Sequence, residues 1–244
     1  MRKAFYGRCA PRFFVLRIIL ASALTAYASL LSARSVDTGR HRVIAAEIIV
    51  LPAPHTAGSM SLEEALHRRD SVREFLGTPM SLEDVSQLLW AAQGITHDDQ
   101  LRTAPSAGAL YPLELYLVGG DVLNLPAGIY RYLPQRHRLE VIRRGDFRAD
   151  LAAAAMHQDW LKDSAAILVF AAVEERTTAK YGSRGRAYVH TEAGHAAQNV
   201  LLQAVSLGLG GTPVGAFDDE WSAQVLDLPA EEKILYLVPI GKPR

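Results

Sequence analysis

Between Val189 and Leu207 apolar residues recur at helical spacing, and no other stretch limits the fold as strongly. Val189, Ala193, Ala196, Ala197, Val200, Leu201, Ala204 and Leu207 fall on one stripe, and Gly208 follows as a helix stop. Four of these eight are Ala, so a neighbouring surface can approach closely. An apolar helix this long needs surfaces on both sides, which predicts an obligate dimer formed through it.

The elements around it are mixed. Ser61-Leu62-Glu63-Glu64 reads as a capping box opening a short helix that runs to about Arg69. Ser81-Leu82-Glu83-Asp84 repeats that logic, and Leu82, Val85, Leu88, Leu89 and Ala92 then mark one helical face that Gly94 ends. Leu113–Val118 reads as a strand, and Gly128–Tyr132 and Leu139–Ile142 as a hairpin around 134–138. Phe147–Met156 is a short Ala-rich helix. Ala165–Val173 is continuously apolar, as a strand buried on both faces is, and Ile234–Ile240 is the last strand. Without strict βαβ alternation, the chain is expected to be α+β rather than doubly wound.

The N-terminal end belongs to something else. Its 42 residues hold eight of the 26 basic side chains and only one of the 26 acids, Asp37, leaving the rest of the chain formally at −7. An acidic globular part argues against nucleic acid as a ligand, because phosphate neutralisation needs a positive face. Residues 18–33 are uncharged and largely apolar after Arg17, the layout of a signal peptide, with small residues at Ala26-Tyr27-Ala28 and Leu31-Ser32-Ala33. An uncleaved anchor, with residues 13–33 meeting a membrane, and an amphipathic extension are the other readings. A signal peptide would export the protein, an anchor would tether it to a membrane, and otherwise the protein would be cytoplasmic. The domain division is therefore 1–42, leader and linker, and 43–244, the globular domain.

Several motifs are ambiguous alone. Arg68-Arg69-Asp70-Ser71-Val72-Arg73 can grip a phosphate or be a solvated helix end. Four glycines between Gly208 and Gly215 let backbone N–H groups approach a ligand, or simply cap a helix; the P-loop ending is missing. His190, Glu192 and His195 do not make a metal site, since His190 lies about 140° from His195 around a helix; Glu192 and His195 share a face and can pair. Lys180-Tyr181 could transfer protons. The single Cys, Cys9, excludes a disulfide framework, and no Gly-x-Ser-x-Gly elbow supports hydrolysis.

Taken in order, Arg69–Phe75, Ala104–Pro112, Lys180–Gly182, Gly194–Asn199, Gly208–Phe217 and Gly241–Arg244 resemble the FMN-dependent nitroreductase superfamily, nearest its SagB/ThcOx branch of azoline oxidases. The resemblance implies a nitroreductase-like α+β fold, with a mostly antiparallel central sheet flanked by helices. It also implies a homodimer through the long central helix, with FMN at the interface. Arg69, Ser71 and Arg73 would contact the phosphate and ribityl chain, and Lys242 and Arg244 the same phosphate. Pro105 and Ser106 would come from the partner subunit. Pro213, Val214 and Gly215 would lie along the isoalloxazine, where better-known nitroreductases often carry Glu at the position of Gly215. Asp70 stands where the branch often has Arg. Lys180 and Tyr181 match the branch's base, which takes a proton as hydride leaves for flavin N5. The implied activity is dehydrogenation of an azoline or similar peptide-derived or small-molecule substrate. The alternatives are an NAD(P)H-dependent nitro/quinone reductase, or a non-catalytic flavin-binding subunit of a complex.

Overall fold

The computed structural model describes residues 47–97 and 100–244. The expected leader, including residues 13–33, lies outside the described residues. No helix among the described residues is long and apolar enough to cross a membrane.

One seven-stranded sheet organises the molecule. Its strands are β1 (Ile48–Val50), β2 (Leu113–Gly119), β3 (Gly128–Leu133), β4 (Arg138–Arg144), β5 (Ala166–Ala172), β6 (Gly210–Gly211) and β7 (Lys233–Gly241). They lie in the order β1-β4-β3-β2-β5-β7-β6, with every neighbouring pair antiparallel. The expected hairpin is β3–β4. The apolar run Ala165–Val173 contains β5, whose seven residues are all buried, because helices cover both faces of the sheet there.

Six α-helices complete the fold among the described residues: α1 (Leu62–Arg68), α2 (Leu82–Gln93), α3 (Arg148–Ala154), α4 (Glu175–Tyr181), α5 (Arg184–Ser206) and α6 (Asp219–Leu226). Alternation along β2 divides the core. Leu113, Leu115 and Leu117 join Val85, Leu88 and Leu89 of α2 and Val189, Ala196 and Val200 of α5. Tyr116 and Val118 face the other way, with Leu151 of α3 and Leu226 of α6.

This arrangement removes the basis of one expectation, the dimer drawn from the apolar stripe, and corrects another, the pair of capping boxes. The stripe on α5 is buried against the chain's own sheet and α2, and its opposite side carries exposed His190, Thr191, His195 and Gln198. The stripe therefore requires no second subunit, since the sheet supplies the covering surface. Only one of the two N-termini forms a full capping box. Ser81 Oγ accepts from the Asp84 N–H (3.0 Å) while the Ser81 N–H donates to Asp84 Oδ2 (3.2 Å). Ser61 Oγ accepts from the Glu64 N–H (3.1 Å), but the Glu64 carboxylate turns to Arg68, 2.6 Å away one turn later.

The segment before α1 is bound to the domain. Ser86 Oγ donates to the Pro52 carbonyl (2.6 Å), and the Gln87 side chain exchanges bonds with the His55 backbone at 2.8 and 3.0 Å.

Candidate active site

All five expected phosphate ligands are gathered by backbone pairing at the β6 edge. After α1, residues 71–75 run beside β6 and the C-terminus. Ser71 bridges Gly211, Phe75 bridges Pro243, and the Val72 N–H donates to the Gly211 carbonyl (3.2 Å). The Leu76 N–H reaches the Lys242 carbonyl (2.9 Å), and the Arg244 N–H reaches the Glu74 carbonyl (3.1 Å). Arg69, Ser71, Arg73, Lys242 and Arg244 thus share one end of the sheet. Ser71, Arg73, Lys242 and Arg244 are exposed there, and Arg69 is half-buried. Arg68, Asp70 and Val72, which alternate with them, line a small cavity with Leu201 and Val205 of α5. The Arg73 guanidinium lies 5.8 Å from the centroid of the Trp160 ring.

The glycines here serve the fold more than a ligand. A Cβ on Gly210 would stand 2.5 Å from a Val72 methyl, and one on Gly211 2.5 Å from the Pro239 carbonyl. Both residues let chain segments close on each other. Val214 is likewise taken up by the core: its side chain is buried, and its backbone pairs with Leu237 at 2.7 and 3.0 Å. Pro213 and Gly215 on either side are exposed, so they, and not the Val214 side chain, can meet a ring.

Pro105, Ser106, Lys180 and Tyr181 form a second cluster. Lys180 and Tyr181 end α4, with Lys180 Nζ 5.4 Å from the Tyr181 ring centroid and that ring edge-on to Tyr188 (5.2 Å, 85°). Both reach over the turn after Ser106. A Cβ on Gly108 would stand 2.7 Å from the Tyr181 hydroxyl and 2.9 Å from Lys180 Nζ, so only Gly admits them this closely. The turn is strained, with φ of 64° at Gly108, 54° at Ala109 and 46° at Tyr111. Ser106 Oγ steadies it by accepting from the Tyr111 N–H (2.9 Å).

Glu192 of α5 lies against this turn. It is 3% exposed, and its Oε1 has no hydrogen-bond partner. Burial pushes its carboxyl up to about 7, against the opposing influence of the Ser106 hydroxyl and the Arg102 charge. Its burial removes it from exposed His195, so the pairing expected between them does not form. Arg102 lies with its guanidinium 4.5 Å from the Tyr111 ring centroid, and Arg176 Nη1 donates to the Tyr111 carbonyl (3.1 Å). Spacing in the sequence gave no reason to single out Arg102, Tyr111 or Arg176, because two loop residues and a residue of α4 more than sixty positions further on meet here.

The two clusters are set apart along α5, one beside its N-terminal half and the other at its C-terminal end. One is near Glu192 and the other near Val205, thirteen residues or roughly 20 Å along the axis.

The sequence pattern of the nitroreductase family matches residues 66–242. A protein of Methanocaldococcus jannaschii named as a nitroreductase is 44% identical over 183 residues, covering 75% of this chain and 91% of its own. A solved structure from Ralstonia eutropha, also described as a nitroreductase, is 32% identical with a TM-score of 0.71, over 81% of this chain and 90% of that one. The microcin B17-processing protein McbC of Escherichia coli is 29% identical over 132 residues, 52% of this chain and 48% of McbC. The match thus spans about half of each.

Proposed function

The chain belongs to the nitroreductase family of FMN-dependent oxidoreductases, and on that premise we propose that it oxidises an azoline or similar C–H bond next to nitrogen or sulfur in a peptide-derived substrate. The observation that carries this reading is the placement of Lys180 Nζ and the Tyr181 hydroxyl over Gly108. When bound, FMN supplies two-electron chemistry by accepting a hydride. Arg69, Ser71, Arg73, Lys242 and Arg244 hold its phosphate; a hydroxyl and four cations suit a dianionic monoester. Ser106 and the strained turn it steadies orient the substrate beside Lys180 and Tyr181. The Tyr181 hydroxyl or Lys180 amine takes the proton from the oxidised centre and passes it to solvent, to which exposed Lys180 is open. The similarity to a microcin-processing protein supports a peptide substrate.

Since the phosphate ligands and the Lys180–Tyr181 cluster are set apart along α5, the complete site joins the phosphate end of one subunit to the Ser106–Tyr181 end of its partner in a homodimer. The purified protein, with FMN added, is expected to show flavin absorption bands that an azoline-containing peptide bleaches anaerobically and NAD(P)H does not. Absence of flavin bands overturns the cofactor assignment. Rapid bleaching by NAD(P)H alone moves the assignment to a nitro/quinone reductase; the M. jannaschii relative is named as a nitroreductase.

A further inference from the structure

Where β2 begins and β3 ends, a cavity of about 350 Å3 opens, walled by Gln93, Arg102, Glu114, Arg131 and Arg176. Three of these five side chains are guanidinium groups and one is a carboxylate. The carboxylate is already divided: Glu114 Oε2 meets Arg131 at 2.8 Å and Glu114 Oε1 meets Arg176 at 2.6 Å. Arg131 also reaches Glu232, at 3.4 Å.

Arg102 is held differently. Its Nη1 donates to Gln93 Oε1 (2.6 Å), and it lies against the Tyr111 ring. That bond fixes the Gln93 amide and leaves Gln93 Nε2 without an acceptor, although Gln93 is only 1% exposed. A buried amide donor left unmatched is costly and uncommon in native proteins. Burial first, and then the charge of Arg176, push the Arg102 guanidinium below its ordinary pKa, against the contrary pull of Glu114, Glu192 and Tyr111. The cavity therefore combines an unmatched neutral donor with two cations that an anion between them would stabilise.

We infer that this cavity is a binding site for a ligand carboxylate, gripped by the Arg102 guanidinium and the Gln93 Nε2 amide, with Arg176 facing it. A planar carboxylate has two oxygens for the guanidinium fork and lone pairs to spare for the amide. Glu114 disfavours a second negative charge deeper in, which favours a monoanion over a phosphate. Through Arg176, on α4 one turn before Lys180, and through Tyr111, the cavity adjoins the Lys180–Tyr181 cluster. The inference concerns binding alone and stands whether or not the redox reading does.

The full-length protein, labelled with nitrogen-15, is titrated with acetyl-diglycine and separately with its C-terminal amide. The Gln93 side-chain NH2 resonances, assigned by their loss in Gln93→Leu, are the readout. The acid is expected to shift them saturably and the amide to leave them in place. Arg102→Gln is expected to weaken the acid's affinity tenfold or more, and Gln93→Leu, measured by calorimetry, to weaken it severalfold. Gln93→Leu removes the unmatched buried donor together with the acceptor that holds Arg102, and it keeps the test decisive if Arg102→Gln fails to fold. The proposal falls if the acid produces no shift, if acid and amide act alike, if inorganic phosphate binds more tightly than the acid, or if Gln93→Leu binds the acid as well as the unmodified protein.

Discussion

Glu192 shows most directly how a single residue's surroundings set its chemistry. On an exposed helix it would be an ordinary carboxylate; here the turn 106–111 and α5 shut it from water. Its folded pKa, about 7, is above the ordinary 4.5, so the folded state holds the proton more tightly than the unfolded chain. This contribution to stability is full below 4.5, declines as pH rises, and is gone above about 7, by an amount on the order of 3 kcal/mol at most. The melting temperature is expected to fall between pH 5 and pH 8, and Glu192→Gln to flatten that slope and melt higher than the unmodified protein at pH 8. Equal slopes in calorimetric scans would sink this account. At the end of α4, Lys180→Met or Tyr181→Phe is expected to reduce turnover about a hundredfold or more while leaving flavin absorption and melting temperature in place. Loss of bound flavin in either variant would show that the pair holds the cofactor instead.

At the scale of elements, the two Ser-led helices separate what a motif promises from what it delivers. Both matched the same pattern, and both Ser residues accept a bond from the backbone three residues on. Only Asp84 returns the bond, because a shorter carboxylate stays at the N-terminus whereas Glu64 reaches Arg68. Ser81→Ala should therefore lower stability by about 1 kcal/mol, and Ser61→Ala by less, since α1 is short and exposed. Denaturant unfolding of the two variants checks the order. Gly94 and Gly208 both end helices, for different reasons. Gly208 takes the left-handed conformation, with φ of 69°. Gly94 is extended, and any Cβ there would strike the Trp90 ring.

At the scale of the whole molecule, α5 both covers the sheet and keeps the two halves of the proposed site apart. If each complete site draws one half from each subunit, a variant lacking Arg69 and Arg73 and a variant lacking Lys180 fail for complementary reasons. Each is expected to be inactive alone. After unfolding and refolding together in equal amounts, the mixture should recover about a quarter of the unmodified activity, because half of the dimers then contain one intact site of two. No recovery, with dimers present by light scattering, would place both halves of the site within one chain.

Periodicity and punctuation, which are local, were enough to locate β2 to β5, β7, the two Ser-capped helices, α3 and the long helix α5. The resemblance supplied residues that the fold does bring together: 69, 71, 73, 242 and 244 at one sheet edge through backbone pairing, and 106, 180 and 181 around one turn through the side chains of α4. Local pattern could not say which surface covers the α5 stripe, because apolarity records that a face is buried and not by what. Nor could it show that Gly210, Gly211 and Val214 serve the sheet, that Glu64 turns away from its cap, or that Gln93, Arg102 and Arg176 wall one cavity. Apart from the Glu64 turn, a choice between two partners within one short helix, those outcomes depend on contacts between residues distant in sequence, and such contacts exist only once the sheet has closed.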